Sequence, residues 1–323
     1  MNDRALSLLE QYDIEVLRTR KGRGTFICET KQGSLAFQEY NGNPEKLKLQ
    51  QMILQRIRDL GLVKAEELIP NKEGQLFVKG NDGLCYILKT FFEGSECNIY
   101  DTHECVEAVQ LLARLHHCME GVLWEDVYGE GRSVYSPLKE YEKHNRELSR
   151  VWSYLKKKGQ KQVFEKRLLS SMEYFVSQAR QVTESWRQLE DTVPDTGLCH
   201  GDYQYHNILR TPEGWRIVNF EKLQADDPIR DVCLFLRKVM EKNNWEVSQG
   251  KELLDAYEAV RSLSTYSRQD LYHRFAYPEK FWKIVNFYYN SSKAWIPEKN
   301  LEKLDKVISQ EEAKQNFIKE IFG

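Results

Sequence analysis

Apolar positions along the chain follow two periods. Three short runs of β-formers, 15–20, 25–30 and 34–40, are parted by turns at Lys21-Gly22-Arg23-Gly24 and Lys31-Gln32-Gly33, the pattern of an antiparallel meander. Ahead of them, residues 4–12 read as a short amphipathic helix. Asn43-Pro44-Glu45 caps a helix running to about residue 59, with Leu49, Met52, Ile53 and Ile57 on one face. Two further runs, 75–78 and 84–89, flank an Asn81-Asp82-Gly83 turn and predict a hairpin.

From about residue 101 the period lengthens to that of helices. Val106, Val109, Leu112 and Leu115 form one stripe within 103–118. Between 164 and 189, Leu168, Met172, Phe175, Ala179, Val182, Trp186 and Leu189 step by four and three, a heptad-like seam. Such a seam suits a dimeric coiled coil or an intramolecular hairpin with the polar helical run at 138–158, and the hairpin is preferred. A strand at 215–220 follows a Pro212-Glu213-Gly214 turn and pairs with 208–210. Further helices are predicted over 229–242, 251–262, 268–290 and 301–322. Their aromatic residues, among them Phe275, Phe281 and Trp295, read as core at helical spacing.

Composition narrows the class. With 323 residues, 41% apolar and 30% charged, the chain is long enough for two lobes of a soluble globular protein. A net charge of −2 gives no basis for a nucleic-acid or membrane-surface partner, and Lys156-Lys157-Lys158 reads as a solvated helix face. Cysteines at 28, 85, 97, 105, 118, 199 and 233 are odd in number and irregular in spacing, so they are expected to be reduced, mostly buried thiols. Met1-Asn2-Asp3-Arg4 leads into a polar segment, and nothing approaches the roughly 18 apolar residues of a membrane span. A protein made and kept inside a cell is expected.

The chemistry concentrates at Leu198-Cys199-His200-Gly201-Asp202-Tyr203-Gln204-Tyr205-His206-Asn207. H-x-D-x-x-x-x-N is the spacing of a kinase catalytic loop, which needs a carboxylate at the acceptor hydroxyl and, one loop turn on, an amide oxygen at the metal on the phosphates. Asp202 is the candidate base and Asn207 the candidate metal ligand. His200 is more suited to bracing the loop than to shuttling protons. Three strands, a helix and two strands match the plan of a kinase small lobe, which places Phe91-Phe92-Glu93-Gly94-Ser95-Glu96 at the hinge, with Phe92, Glu93 and Gly94 supplying backbone groups for adenine.

His200-Gly201-Asp202 with Asn207, a strand, and then Asp227-Pro228-Ile229-Arg230-Asp231 opening a helix resemble the aminoglycoside phosphotransferase and choline kinase branch of the kinase-like superfamily. Within it, Glu93-Gly94-Ser95-Glu96-Cys97-Asn98, the His200 loop, Val218-Asn219-Phe220-Glu221-Lys222 and Lys293-Ala294-Trp295-Ile296-Pro297 are similar to the CotS family of spore coat proteins. The resemblance implies a bilobal α+β fold: a small antiparallel-sheet lobe over 1–92, a hinge at 93–98 and a mainly helical lobe over 99–323. It also implies ATP and Mg as cofactors, synthesis in the cytoplasm of a spore-forming bacterium, a place in its spore coat, and coat proteins or a small-molecule acceptor as partners. Oligomeric state is not readable.

Two parts of a phosphotransferase are missing. The second metal carboxylate is replaced by Asn219, a neutral and weaker ligand for a hard cation. The phosphate lysine of the third strand is replaced by Gln38, and its usual acidic partner by Gln50 and Gln51. Loss of a cation beside phosphate forfeits up to about 4 kcal/mol at 4 Å and an effective dielectric near 20. At about 1.4 kcal/mol per tenfold, either loss reaches about a thousandfold in rate. Glu221, two residues after Asn219, would compensate if the chain stays extended there and brings both side chains to one face. Asp231 is expected to cap the catalytic segment rather than react. Two readings stay open: a pseudokinase or scaffold of the coat with a degenerate ATP/Mg site, and an active phosphotransferase acting on a hydroxyl.

Overall fold

A computed structural model describes residues 3–22, 24–122, 137–189, 195–290 and 297–323. Arg23 of the first turn and positions 293–296 of the last resemblance stretch, Trp295 among them, lie outside the described residues. The fold is α+β, with an antiparallel sheet in the N-terminal part and helices in the C-terminal part. Contacts divide the chain into two compact units, Met1–Ser133 with Gly197–Leu234, and Val134–Thr196 with Phe235–Gly323. The segment 93–98 and the His200 loop both belong to the first.

The first unit opens with the expected short helix, a 3-10 helix over Asp3–Gln11. Then come β1 (Val16–Lys21), β2 (Thr25–Thr30), β3 (Gly33–Tyr40), α1 (Pro44–Leu60), β4 (Leu68–Ile69), β5 (Val78–Lys79), β6 (Cys85–Thr90), β7 (Ser95–Glu96) and α2 (Thr102–Met119). Strands β1 to β6 form one sheet in the order β1-β2-β3-β6-β4, with β5 also on β6. The meander is therefore as the turns predict, but β6 pairs with β3. In that register Ala36 lies opposite Lys89 and Gln38 opposite Ile87. Alternation along each strand puts these four residues on one face of the sheet. The other face packs Phe26, Cys28, Phe37, Tyr86 and Leu88 with Leu9 and Tyr12, the Phe37 and Tyr86 rings stacking at 5.4 Å.

Helix α1 starts where the sequence predicts. The Asn43 side chain accepts from the Glu45 amide, Pro44 fills the first turn, and Gly61 closes the C-terminus at φ 64. Its buried side is Leu47, Leu49, Gln50, Ile53, Leu54 and Ile57, whereas Met52, expected on that face, is 41% exposed. Two small sheets complete the unit. β8 (Gly197–Cys199) pairs with β11 (Gln224–Asp226), while β9 (Ile208–Thr211) pairs with both β10 (Gly214–Ile217) and β7.

The second unit contains α3 (Pro137–Lys157) and α4 (Val163–Arg187). The division between units falls within α5 (Ile229–Lys242), after which come α6 (Val247–Glu258), α7 (Thr265–Ala276), α8 (Glu279–Asn290), α9 (Pro297–Ser309) and α10 (Glu311–Phe322). Helices α3 and α4 form the expected hairpin, with Asn145 donating to the Thr183 hydroxyl at 2.9 Å. The heptad-like seam, from Leu168 to Trp186, is buried within the chain. The single helix predicted over 268–290 breaks at Tyr277-Pro278, since Pro278 has no N–H to continue the ladder. The one over 301–322 breaks at Gln310. All seven cysteines are free thiols, and all but Cys85 are buried. Among the described residues no helix is long and apolar enough to cross a membrane.

Candidate active site

The His200 loop is fixed by backbone contacts first. Both oxygens of the buried Asp231 carboxylate accept main-chain N–H groups, from His200 at 2.6 Å and Gly201 at 2.9 Å. Asp231 thus caps the loop, as its place at the start of α5 suggested. The Asp202 amide donates to His200 Nδ1 at 3.2 Å, which leaves Nε2 as the protonated nitrogen facing the Val218 carbonyl at 3.0 Å. Both ring nitrogens of His200 are thereby spent on backbone, and the residue positions the loop against the end of β10. Gly201 sits at φ 79, and a Cβ there would lie 2.1 Å from the Lys222 carbonyl oxygen. Only glycine allows these two segments to approach so closely.

Asp202 accepts from Gln204 Nε2 at 2.8 Å and pairs with Lys222 at 2.9 Å. Burial pushes its carboxyl up, but the Lys222 ammonium and the Gln204 amide outweigh this and hold it below the usual carboxylate range. It is a ready anion. One step away, Asn207 Nδ2 donates to the Asp202 carbonyl, and Asn207 Oδ1 accepts from Asn219 Nδ2, both at 2.8 Å.

Asn219 occupies the left-handed region (φ 68, ψ 59), and a 3-10 turn, Phe220–Lys222, follows. The chain is not extended here, so the alternation expected to bring Asn219 and Glu221 to one face does not apply. Glu221 reaches the site by the turn instead. Its Oε1 accepts from Lys89 Nζ at 2.6 Å and from Gln38 Nε2 at 2.8 Å. Lys89 Nζ also donates to Asn219 Oδ1 at 2.8 Å and pairs with Glu66 Oε2 at 3.0 Å. An ammonium only donates, so this contact fixes the Asn219 amide with its oxygen toward Lys89 and its nitrogen toward Asn207. Glu66 in turn accepts from the backbone amides of Asn219 and Phe220.

Lys89 and Glu66 are the residues that sequence reasoning missed. With Gln38 in place of lysine the site was expected to hold no cation; it holds one, carried on β6. The small Ala36 opposite gives the lysine stem room across the sheet. One signal was legible: Lys89 interrupts the apolar run Ile87-Leu88-Lys89-Thr90-Phe91-Phe92, and a lysine is almost never fully buried unless paired. Its side chain is only 4% exposed. Burial pushes the ammonium down, and the charges of Glu66 and Glu221 more than reverse this, leaving it raised.

Beside Lys89 lies a cleft of about 380 Å³ with apolar walls from Ile27, Ala36, Leu209 and Val218. Gln38, Phe92 and Asn219 also line it. Along the segment expected to form the hinge, the Phe91 amide is bonded to the Ser34 carbonyl, and Glu93 pairs with Arg20 at the surface. A Cβ on Gly94 would lie 2.6 Å from the Arg210 carbonyl oxygen, so glycine lets the segment close on β9.

Residues 6–321 match the family described as Spore coat putative kinase YutH. The chain belongs to that family. It is also 25% identical over 318 residues to Spore coat protein S of Bacillus subtilis (strain 168), covering 93% of this chain and 87% of the relative. Among solved structures, an aminoglycoside phosphotransferase from Alicyclobacillus acidocaldarius subsp. acidocaldarius DSM 446 superposes at TM-score 0.83 with 17% identity, over 97% of this chain and 93% of that one. Spectinomycin phosphotransferase, solved with ADP and spectinomycin, superposes at TM-score 0.60 with 15% identity, over 98% and 93%. These likenesses give the kinase-like fold that the His200 motif implied.

The family's fold implies a divalent cation, and the donor set here does not fit one. Asn207 and Asn219 are neutral and bonded to each other through the oxygen a metal would take from Asn207. The carboxylates beside Asn219, those of Glu66 and Glu221, both already face the Lys89 ammonium. Among the described residues no group of three His, Cys, Asp or Glu side chains is placed to hold a metal ion. A hard cation prefers several anionic or free carbonyl oxygens, which this arrangement lacks.

Proposed function

We propose that this member of the spore coat kinase family is a pseudokinase of the coat: a nucleotide-sized pocket on a kinase fold, retained for binding and assembly rather than for phosphoryl transfer. The observation that carries this reading is the Asn207–Asn219 amide pair, closed at 2.8 Å where transfer needs a charged metal site. A coat location and coat-protein partners follow from family membership and from the name of Spore coat protein S. Nucleotide as ligand follows from the apolar cleft and from the ADP held by spectinomycin phosphotransferase.

A second reading, an active phosphotransferase acting on a hydroxyl of a small molecule or coat protein, draws on Asp202, an ionised carboxylate on a loop braced by Asp231. One experiment separates the two. Thermal unfolding with ADP or ATP at 100 times its Kd is expected to show about 2.7 kcal/mol of stabilisation, with no ATP turnover above a protein-free blank. Turnover that disappears in Asp202→Asn would establish the enzyme instead, and no stabilisation at millimolar nucleotide would leave a scaffold without a ligand.

A further inference from the structure

We propose that the Lys89 ammonium is the resident cation of this site, standing in for the fold's divalent ion, so that the pocket takes its nucleotide without metal. The statement about nucleotide rests on the reading above; the statement about the cation does not.

Three oxygens surround Lys89 Nζ: Glu221 Oε1 at 2.6 Å, Asn219 Oδ1 at 2.8 Å and Glu66 Oε2 at 3.0 Å. An ammonium has three N–H groups, and all three are used. Glu66 and Glu221 together carry two negative charges, more than the one on Lys89. A magnesium ion would need near-octahedral oxygens at about 2.0–2.1 Å. It would have to take Asn219 Oδ1 and Glu221 from an ammonium that is covalently tethered beside them and shielded from water. Like charges in such a place repel strongly, so the tethered cation excludes the free one.

Two substitutions that read as losses in the sequence then have a cause. Asn219 carries an amide that serves both neighbours, its oxygen accepting from Lys89 and its nitrogen donating to Asn207. An ionised aspartate there would set a bare oxygen against Asn207 Oδ1. Gln38, at the expected lysine position, donates a neutral N–H to the same Glu221 oxygen that holds Lys89. A second ammonium at position 38 would share that oxygen with the first. The site's cation is carried on β6 rather than β3, and Gln38, Asn219 and Glu221 are matched to that place.

The test vacates the position. Lys89→Ala leaves Glu66, Glu221 and Asn219 facing a gap, and is expected to bind one Mn²⁺ by electron paramagnetic resonance and to melt higher with millimolar Mg²⁺. Wild-type protein is expected to do neither, with or without ADP, and Lys89→Ala/Glu221→Gln should lose the gain. Should Lys89→Ala fold only with Mg²⁺ present, that dependence is itself the expected result; should it fold under neither condition, the wild-type Mn²⁺ measurement decides. ADP affinity by calorimetry should agree within about twofold between Mg²⁺ and EDTA. Stoichiometric Mn²⁺ on the wild type, a preference for Mg²⁺ above about tenfold, or a folded Lys89→Ala that gains nothing from metal would overturn the proposal. If ADP binds in neither buffer, the nucleotide reading falls while the Mn²⁺ result still decides the cation.

Discussion

Replacing Lys89 by methionine keeps the stem and removes the charge from between Glu66, whose side chain is fully buried, and Glu221. Deleting one partner of a buried ion pair costs about 3–5 kcal/mol. Protonation sets a limit on this. In the native protein burial pushes the Glu221 carboxyl up, and Lys89 more than reverses that, holding it below its ordinary value. Without Lys89 the upward push of burial is the largest cause left, opposed by a backbone hydrogen bond and the Gln38 amide. A glutamate with an unfolded pKa near 4.3 takes its proton at pH 7 for about 3.7 kcal/mol, at about 1.36 kcal/mol per pH unit. The cheaper route wins, so Lys89→Met is expected to lose about 3–4 kcal/mol at pH 7. At pH 5 the same proton costs only about 1 kcal/mol.

The pair therefore behaves in opposite ways in the two proteins. A depressed folded pKa gives the wild type stability that is present above about pH 4.3 and lost as pH falls through the folded value, so this pair adds no slope between pH 5 and 7. A raised folded pKa makes the variant weaken as pH rises through that interval. Urea unfolding followed by tryptophan fluorescence at several pH values across it measures both. A penalty equal at the two ends, or below about 1 kcal/mol at pH 7, would refute the assignment of Lys89 as counter-charge to Glu221.

Other consequences are as direct. Asp231→Asn turns an amide N–H₂ or a weaker oxygen toward the amides of His200 and Gly201, and should cost about 1.5–3 kcal/mol in urea unfolding. Gly201→Ala adds a contact with the Lys222 carbonyl to the strain of a positive φ, so its loss should exceed that of Gly61→Ala, which has the same kind of φ and open space, and for which about 1 kcal/mol is expected. His144 stacks on Trp282 at 3.4 Å, and burial pushes its imidazole down to about 4. The unfolded chain takes that proton first, near pH 6.5, so stability should fall by up to about 3 kcal/mol as pH drops from about 6.5 to 4. His144→Phe should flatten that acid limb, and an unchanged slope would count against the buried neutral ring.

Local chemistry made much of the fold readable. The glycine turns fixed the meander, Asn43-Pro44 fixed the start of α1, and the seam from Leu168 to Trp186 found its partner helix within the chain. Misreadings came where periodicity says nothing about direction. Met52 shares a spacing with Leu49 but points to solvent, because the buried side of α1 is centred on Ile53 and Leu54. Pro278 breaks a helix that apolar spacing alone carries through, because it has no N–H to donate. Glu66 gave no signal, since its role depends on two backbone amides far along the chain, at Asn219 and Phe220.

By itself the sequence determined that a kinase-like fold carries the loop from His200 to Asn207, because spacing within one short segment is a local property. It also determined which charges are absent at positions 38 and 219. Only the tertiary structure decided what that absence means. Pairing of β6 with β3 brings Lys89 beside Ala36, and the left-handed turn at Asn219 aims Glu221 at it. No linear spacing encodes such a meeting: a strand register and a positive φ set it, and both are settled by packing across the whole first unit.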